Sequence, residues 1–261
     1  MKIGFIFAGQ GQQFLYMGQD LVKEYDIAQN LYTQAHKVLG YDVLHLDKEK
    51  LNQTKYTQVA LFVLSCVLND ILKDKGIKPN VVAGLSLGEY NALYSAEVFD
   101  FETGLKLIQK RAKLMHDAFE PYETGMAACL RTDRDTITKV LENTEIEICN
   151  VNTPSQIVIG GNTAKLDEVL VKLKKEKIRA IKLRVSSVSH MSLLKNESEK
   201  LKDILTNVSF NKPRFKFINN VEAKFQTEHF EDTLARQISE NTELALSIQK
   251  MIDEGIDTIL E

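Results

Sequence analysis

The stretch Val81-Val82-Ala83-Gly84-Leu85-Ser86-Leu87-Gly88-Glu89 decides how this chain folds. Its first four residues are apolar or small and read as a short buried strand. They run directly into Ser86, and a helix begins near Gly88. A serine between two glycines, after a strand and before a helix, has the form of a nucleophile elbow. The turn is so tight that the residues two before and two after the serine must be small. The hydroxyl is then exposed at the carboxyl end of the strand, and the amides of the following helix point at the same spot and favour developing negative charge. An incidental serine in a strand-to-helix turn is the plainer account, and the strand and helix on either side weigh against it.

Working outward, Ile3–Phe7 reads as a buried first strand followed by Gly9-Gln10-Gly11 and a helix over about Tyr16–Leu39. Met17, Leu21, Ala28, Leu31, Ala35 and Val38 make one apolar stripe along that helix. Further helices are predicted over about Thr57–Lys73 and Phe101–Ala118. Strand and helix alternation of this kind argues an α/β core with a mostly parallel sheet. After Pro121 the pattern changes. Met126–Leu130, Ile146–Val151, Gln156–Ile159 and Ile178–Val185 read as strands. Asp133–Asn143 and a segment capped by Asn162 and running to Lys175 read as helices. The order β-α-β-β-α-β is that of a ferredoxin-like unit. The expected organisation is a large α/β-hydrolase-like subdomain (residues 1–120 and 188–261) with an inserted ferredoxin-like small subdomain (residues 121–187). Helices over about Leu193–Thr206 and Phe230–Glu254 enclose a strand at Arg214–Asn219. A last strand at 256–261 stops abruptly, so the natural chain is expected to continue or to be trimmed.

Composition narrows the class. The 33 basic and 36 acidic residues nearly balance, which gives no reason to expect nucleic acid or a membrane surface as partner. Cys66, Cys129 and Cys149 are dispersed and odd in number. They form neither a metal-ligand spacing nor a disulfide framework, and a reducing, cytoplasmic compartment is expected. The apolar run Val59–Leu68 suits a core helix and is too short to span a bilayer.

Ser86 needs a base. His36, His45 and His229 read as surface residues, and His116 as a charge at a helix C-terminus. His190 ends the run Ser186-Ser187-Val188-Ser189 just after a predicted strand, and is favoured over His116. The Gly9-Gln10-Gly11 loop either cradles a phosphate or supplies an amide to an oxyanion hole; it lacks the Lys-Ser/Thr end of a P-loop. Lys172, Lys174, Lys175, Lys177 and Arg179 form a basic run, read as a solvated helix face in preference to a docking patch for an acidic partner.

Several ordered motifs together carry a resemblance: Phe7-Ala8-Gly9-Gln10-Gly11, Gly84-Leu85-Ser86-Leu87-Gly88-Glu89, Arg111-Ala112-Lys113-Leu114-Met115, Asn150-Val151-Asn152-Thr153-Pro154, Ser189-His190 and Arg236-Gln237. The whole chain resembles the malonyl-CoA:acyl carrier protein transacylase family, which includes the acyltransferases of polyketide synthases. The resemblance implies Ser86 as nucleophile and His190 as base. It implies a backbone carbonyl near Gln237 orienting the histidine, with Gln237 grouped beside Arg111 at the substrate. Arg111 is expected to bind the malonyl carboxylate, and the amides of Gln10 and Leu87 to form the oxyanion hole. The family elbow usually reads Gly-His-Ser. Leu85 replaces that histidine, as in discrete, trans-acting acyltransferases and acyl hydrolases. A Gly-Pro-Gly stretch usual after the last strand lies beyond this chain. The implied reaction moves malonyl from malonyl-CoA to an acyl carrier protein through an ester on Ser86, with no metal or other cofactor and with the enzyme a monomer. Leu87 is expected to crowd branched acyl groups. The alternative is an acyl hydrolase acting on acyl carrier proteins, disfavoured because a buried Arg111 has no partner when the acyl group is plain.

Overall fold

The computed structural model describes residues 1–183, 185 and 187–261. The chain opens with β1 (Ile3–Phe7), buried along its whole length, then α1 (Gln19–Glu24), α2 (Asp26–Leu39), α3 (Lys48–Leu51) and α4 (Thr54–Asp74). The predicted helix over Tyr16–Leu39 is therefore two. Tyr25 takes an extended conformation (φ −129°) between them. The apolar stripe runs on across that break, which hides it from periodicity alone. The long α4 has the length and apolar content of a membrane span. Its Val59, Phe62, Val63, Cys66 and Val67 are buried in the main core, which marks it as a core helix.

β2 (Val81–Gly84) leads into α5 (Gly88–Ser95) and α6 (Phe101–Asp117). β3 (Thr124–Leu130), α7 (Arg134–Leu141), β4 (Glu147–Thr153), β5 (Gln156–Asn162), α8 (Thr163–Lys175) and β6 (Arg179–Lys182) follow. Asn162 caps α8 as expected, its Oδ1 accepting from the Ala164 and Lys165 amides. The strand predicted to Val185 ends at Lys182; Arg184 and Ser186 fall outside the described residues. A 3-10 turn at Ser192–Leu194 runs into α9 (Lys195–Leu205). Then come β7 (Lys216–Phe217), α10 (Phe230–Gln237), α11 (Leu244–Asp253) and β8 (Thr258–Leu260). The single helix expected over Phe230–Glu254 is broken at Ser239–Glu243, where Ser, Asn and Thr favour local bonds over a helix interior.

Two sheets result. The first is parallel throughout, in the order β7-β2-β1-β8. The second is antiparallel, in the order β4-β5-β3-β6. Numbered within its own unit, that order is 2-3-1-4, the ferredoxin-like arrangement expected from the sequence. Helices α7 and α8 cover one face of the second sheet through Ile137, Leu141, Leu166 and Val169. The other face packs Met126, Ala128, Cys149 and Val158 against Val188 and Met191, beside His190. The segment after α10 joins the two sheets. Thr242 bridges to Asn150 of β4 in parallel, with Val151 N donating to Thr242 O (2.9 Å) and Thr242 N to Cys149 O (3.0 Å). One residue on, Glu243 N donates to Asn220 O (2.8 Å), beyond β7. The Glu243 carboxylate also pairs with Arg134 of α7.

Candidate active site

β1 and β2 are in register to their last residues, with Phe7 opposite Gly84 and Leu85 N donating to Phe7 O (2.9 Å). The loop after β1 therefore lies beside the turn after β2, which puts Gly9 and Gln10 at the rim of the same cavity as Ser86. Ser86 has φ +58°, in the left-handed region that non-glycine residues seldom enter. Two glycines permit the turn. A Cβ on Gly84 would stand 2.1 Å from the Gly88 carbonyl, and one on Gly88 would stand 2.1 Å from the Phe7 carbonyl oxygen. The sequence expectation of small residues on both sides of the serine thus rests on backbone contact.

His190 is 2% exposed and also has a positive φ, +63°. Its Nε2 lies 2.8 Å from Ser86 Oγ, and its Nδ1 lies 2.6 Å from the Gln237 carbonyl oxygen. A carbonyl only accepts, so Nδ1 carries the proton, and Nε2 is left as the lone-pair nitrogen facing the serine. Burial, and then the charge of Arg111, push the His190 pKa down to about 3. Its own amide donates to Ile238 O (2.9 Å), so the histidine and the end of α10 hold each other. The other histidines stand elsewhere. His45 and His229 are exposed beside acids, and His116 occupies the last turn of α6.

Arg111, on α6, is fully buried. Its Nη1 donates to Gln58 Oε1 (2.5 Å), and its Nη2 to Ser86 Oγ (3.0 Å) and Gln237 Oε1 (2.8 Å). Its face lies over the Tyr90 ring at 5.6 Å. Every one of these partners is neutral. Among the described residues no carboxylate lies within ion-pair distance of Arg111, and its Nε has no acceptor. A buried guanidinium without an anion is costly.

Gln237 is buried behind Arg111 and Ser86. Its carbonyl serves His190, and its side chain bonds Arg111, Ser86 O (2.8 Å) and Glu89 Oε2 (2.5 Å). It reaches the cavity through those neighbours and does not line it. Leu87 starts α5 with its side chain in the main core, so its expected crowding of branched acyl groups does not hold. Leu85 is the leucine on the cavity wall. The cavity has about 140 Å³, and Met115, Met126, Val158 and Leu183 give it apolar walls. Asn150 and Asn152 of the quoted Asn-Val-Asn motif also reach it. The partner motif residue Arg236 instead lies outside, paired with Glu222 and Glu240.

Sequence reasoning missed Gln58, Glu89 and Asn220. Asn220 Oδ1 accepts from Ser86 N (2.7 Å), and its Nδ2 donates to Gly84 O. Glu89 Oε1 accepts from Asn220 N (2.9 Å). The one signal for Glu89 was an acid three residues past the serine on a helix otherwise buried, where burial pushes its pKa up to about 7.

Ser86 and His190 line the cavity, and Arg111 stands behind them, reaching it through its bond to Ser86 Oγ. A serine, a carbonyl-oriented histidine and a buried arginine so arranged suit an acyl-transferring enzyme. The chain belongs to the acyl transferase domain family, which matches residues 4–261. It is 39% identical to the malonyl CoA-acyl carrier protein transacylase of Synechocystis sp., over 85% of this chain and 75% of that protein. It is 37% identical to the polyketide biosynthesis malonyl CoA-acyl carrier protein transacylase PksC of Bacillus subtilis, over 97% of this chain and 90% of that protein. Among solved structures it is similar to PlMCAT, a malonyl-transacylase in complex with the type II PKS acyl-carrier protein AntF. The TM-score is 0.95 and the identity 30%, over 100% of this chain and 88% of that one.

Proposed function

We propose that this enzyme is an acyl carrier protein S-malonyltransferase, taking malonyl from malonyl-CoA and passing it to the phosphopantetheine thiol of a carrier protein in fatty acid or polyketide biosynthesis. The observation that carries the reading is Arg111, a buried cation bonded to Ser86 Oγ that among the described residues has no carboxylate within ion-pair distance, Glu89 standing beyond Gln237. A malonyl group esterified to that oxygen brings its own carboxylate to the guanidinium, which binds it with charge-assisted hydrogen bonds.

The two half-reactions share one base. Ser86 Oγ attacks the thioester carbonyl as its proton passes to His190 Nε2. The amides of Gln10 and Leu87 receive the oxyanion, the C–S bond breaks, and coenzyme A leaves with the proton from Nε2. The carrier thiol then gives its proton to Nε2 and attacks the serine ester by the reverse path. The sum balances without a metal or redox group. Residues 121–187 act as the lid over this cleft, whose small size and apolar walls disfavour water as the acceptor. A reducing, cytoplasmic compartment suits the three buried, unpaired cysteines. The hydrolase alternative is not favoured: a plain acyl chain leaves Arg111 without its anion, and the relatives are named as transacylases.

The test is intact-mass measurement of the enzyme after malonyl-CoA, then after added holo carrier protein. A malonyl adduct on Ser86 that moves to the carrier is expected. No adduct, or one lost to water as fast without the carrier as with it, overturns the reading.

A further inference from the structure

Glu89 takes no part in the chemistry above, yet its carboxylate sits directly behind the site. It is fully buried in the first turn of α5, three residues from Ser86. Each oxygen receives one N–H: Oε1 that of Asn220, and Oε2 that of the Gln237 side chain. Those two partners face the site. Asn220 holds the Ser86 amide, and Gln237 holds Arg111.

The Gln237 amide can sit in its slot two ways, with oxygen and nitrogen exchanged. Only one way places an acceptor against Arg111, a side chain that donates from every nitrogen. The opposite end must then be a donor, and its two N–H groups meet two acceptors, the Ser86 carbonyl oxygen (2.8 Å) and Glu89 Oε2 (2.5 Å). A carboxylate, with two accepting oxygens, satisfies Gln237 and Asn220 together. A neutral amide at position 89 has one accepting oxygen and leaves one of those donors facing an NH₂ group.

We propose that Glu89 is a positioning residue for substrate selection: its carboxylate fixes the direction of the Gln237 amide, which in turn aims Arg111 at the carboxylate of the incoming acyl group. The inference rests on the reading of Arg111 as the malonyl contact. It assigns selectivity to a group that never touches substrate, through the relay Glu89–Gln237–Arg111. Burial pushes the Glu89 pKa up to about 7, and the N–H groups of Asn220 and Gln237, with the charge of Arg111, act against that rise in favour of the carboxylate.

The experiment compares second-order rate constants for Ser86 acylation by malonyl-CoA and acetyl-CoA. The variants are Glu89→Gln, Gln237→Met (which keeps the main-chain carbonyl) and the double variant, with Arg111→Ala beside them. Malonyl loading is expected to fall further than acetyl loading in Glu89→Gln, lowering their ratio by about tenfold. Gln237→Met should lower the ratio similarly, and the double variant no further than either single one. A merely structural role would slow both substrates alike and leave the ratio in place. An unchanged ratio in Glu89→Gln, or additive losses in the double variant, overturns the proposal. Should Glu89→Gln not fold, an unchanged ratio in Gln237→Met overturns it equally. An unchanged ratio in Arg111→Ala sinks the underlying reading of Arg111; a ratio lost there but intact in Glu89→Gln sinks the role of Glu89 alone.

Discussion

The side chain of Asn220 accepts the backbone N–H of Ser86 at 2.7 Å and donates to the carbonyl of Gly84, spanning the elbow from behind. A serine at φ +58° costs on the order of 1–3 kcal/mol, and it persists where its surroundings fix it. Asn220 is one such restraint. Asn220→Asp keeps the acceptor for Ser86 but loses the donor for Gly84 and adds a second acid beside Glu89. We expect it to destabilise the fold by about 2 kcal/mol and to slow acylation by both malonyl- and acetyl-CoA. Chemical denaturation and burst kinetics check this, and wild-type values for both would clear Asn220 of the role.

Ser86→Ala should leave folding intact and abolish the covalent adduct. The side chain is half-buried at the cavity, and among the described residues its hydroxyl bonds only His190 and Arg111. Mass spectrometry after malonyl-CoA is decisive, since an adduct persisting on the variant would place the nucleophile elsewhere.

Arg111→Ala removes the cation that a malonyl ester would meet. The preference for malonyl-CoA over acetyl-CoA should fall by about 10²- to 10³-fold, with plain acyl groups loading as well as before or better. Acylation rate constants for the two thioesters supply the ratio.

For His190, burial and the Arg111 charge lower the pKa from its ordinary 6.5 to about 3. The neutral base therefore persists on acidification well past the usual range. Its contribution to stability is fully present above about pH 6.5 and declines as pH falls toward 3, because the unfolded chain takes up the proton first. An NMR titration of the labelled ring should show no protonation between pH 8 and 5. In Arg111→Ala the midpoint should rise toward 6.5, since one of the two causes is gone. A wild-type midpoint near 6.5 would contradict the burial argument.

Gly88→Ala places a methyl group 2.1 Å from the Phe7 carbonyl oxygen, backbone that cannot step aside without parting β1 from α5. A loss of about 3 kcal/mol or more is expected, read as a lower melting temperature. A wild-type melting temperature would show that the two elements separate more easily than their contact implies.

Much of this was legible in the sequence where the signal is local. The Gly84–Gly88 turn, the β-α-β-β-α-β order and the Asn162 cap depend on residues a few places apart. Periodicity failed where it ran on through a break, at Tyr25 and at Ser239–Glu243, and it overextended the strand at Arg214–Asn219, of which only Lys216–Phe217 pairs as a strand. Ser86, Arg111 and His190 were named from the motifs, and the structure brings them into hydrogen-bond contact. Glu89, Asn220 and Gln58 were given no role. Their partners lie 131, 134 and 53 residues away along the chain, a separation that no local pattern encodes.

The short ribbon from Gln237 to Glu243 links the second sheet to the segment after β7 within seven residues. Its first carbonyl aims the histidine, Thr242 zips onto the edge of β4, and Glu243 grips Asn220 and Arg134. The antiparallel sheet and His190 are thus stitched with one thread. A wide swing of the sheet that holds β4 would strain the bond from His190 to the Gln237 carbonyl, so we expect the cleft to open little between substrates. Under the proposed reaction it would serve as a slot of fixed width, into which a slender pantetheine arm threads end-on while the bulk of its bearer stays outside.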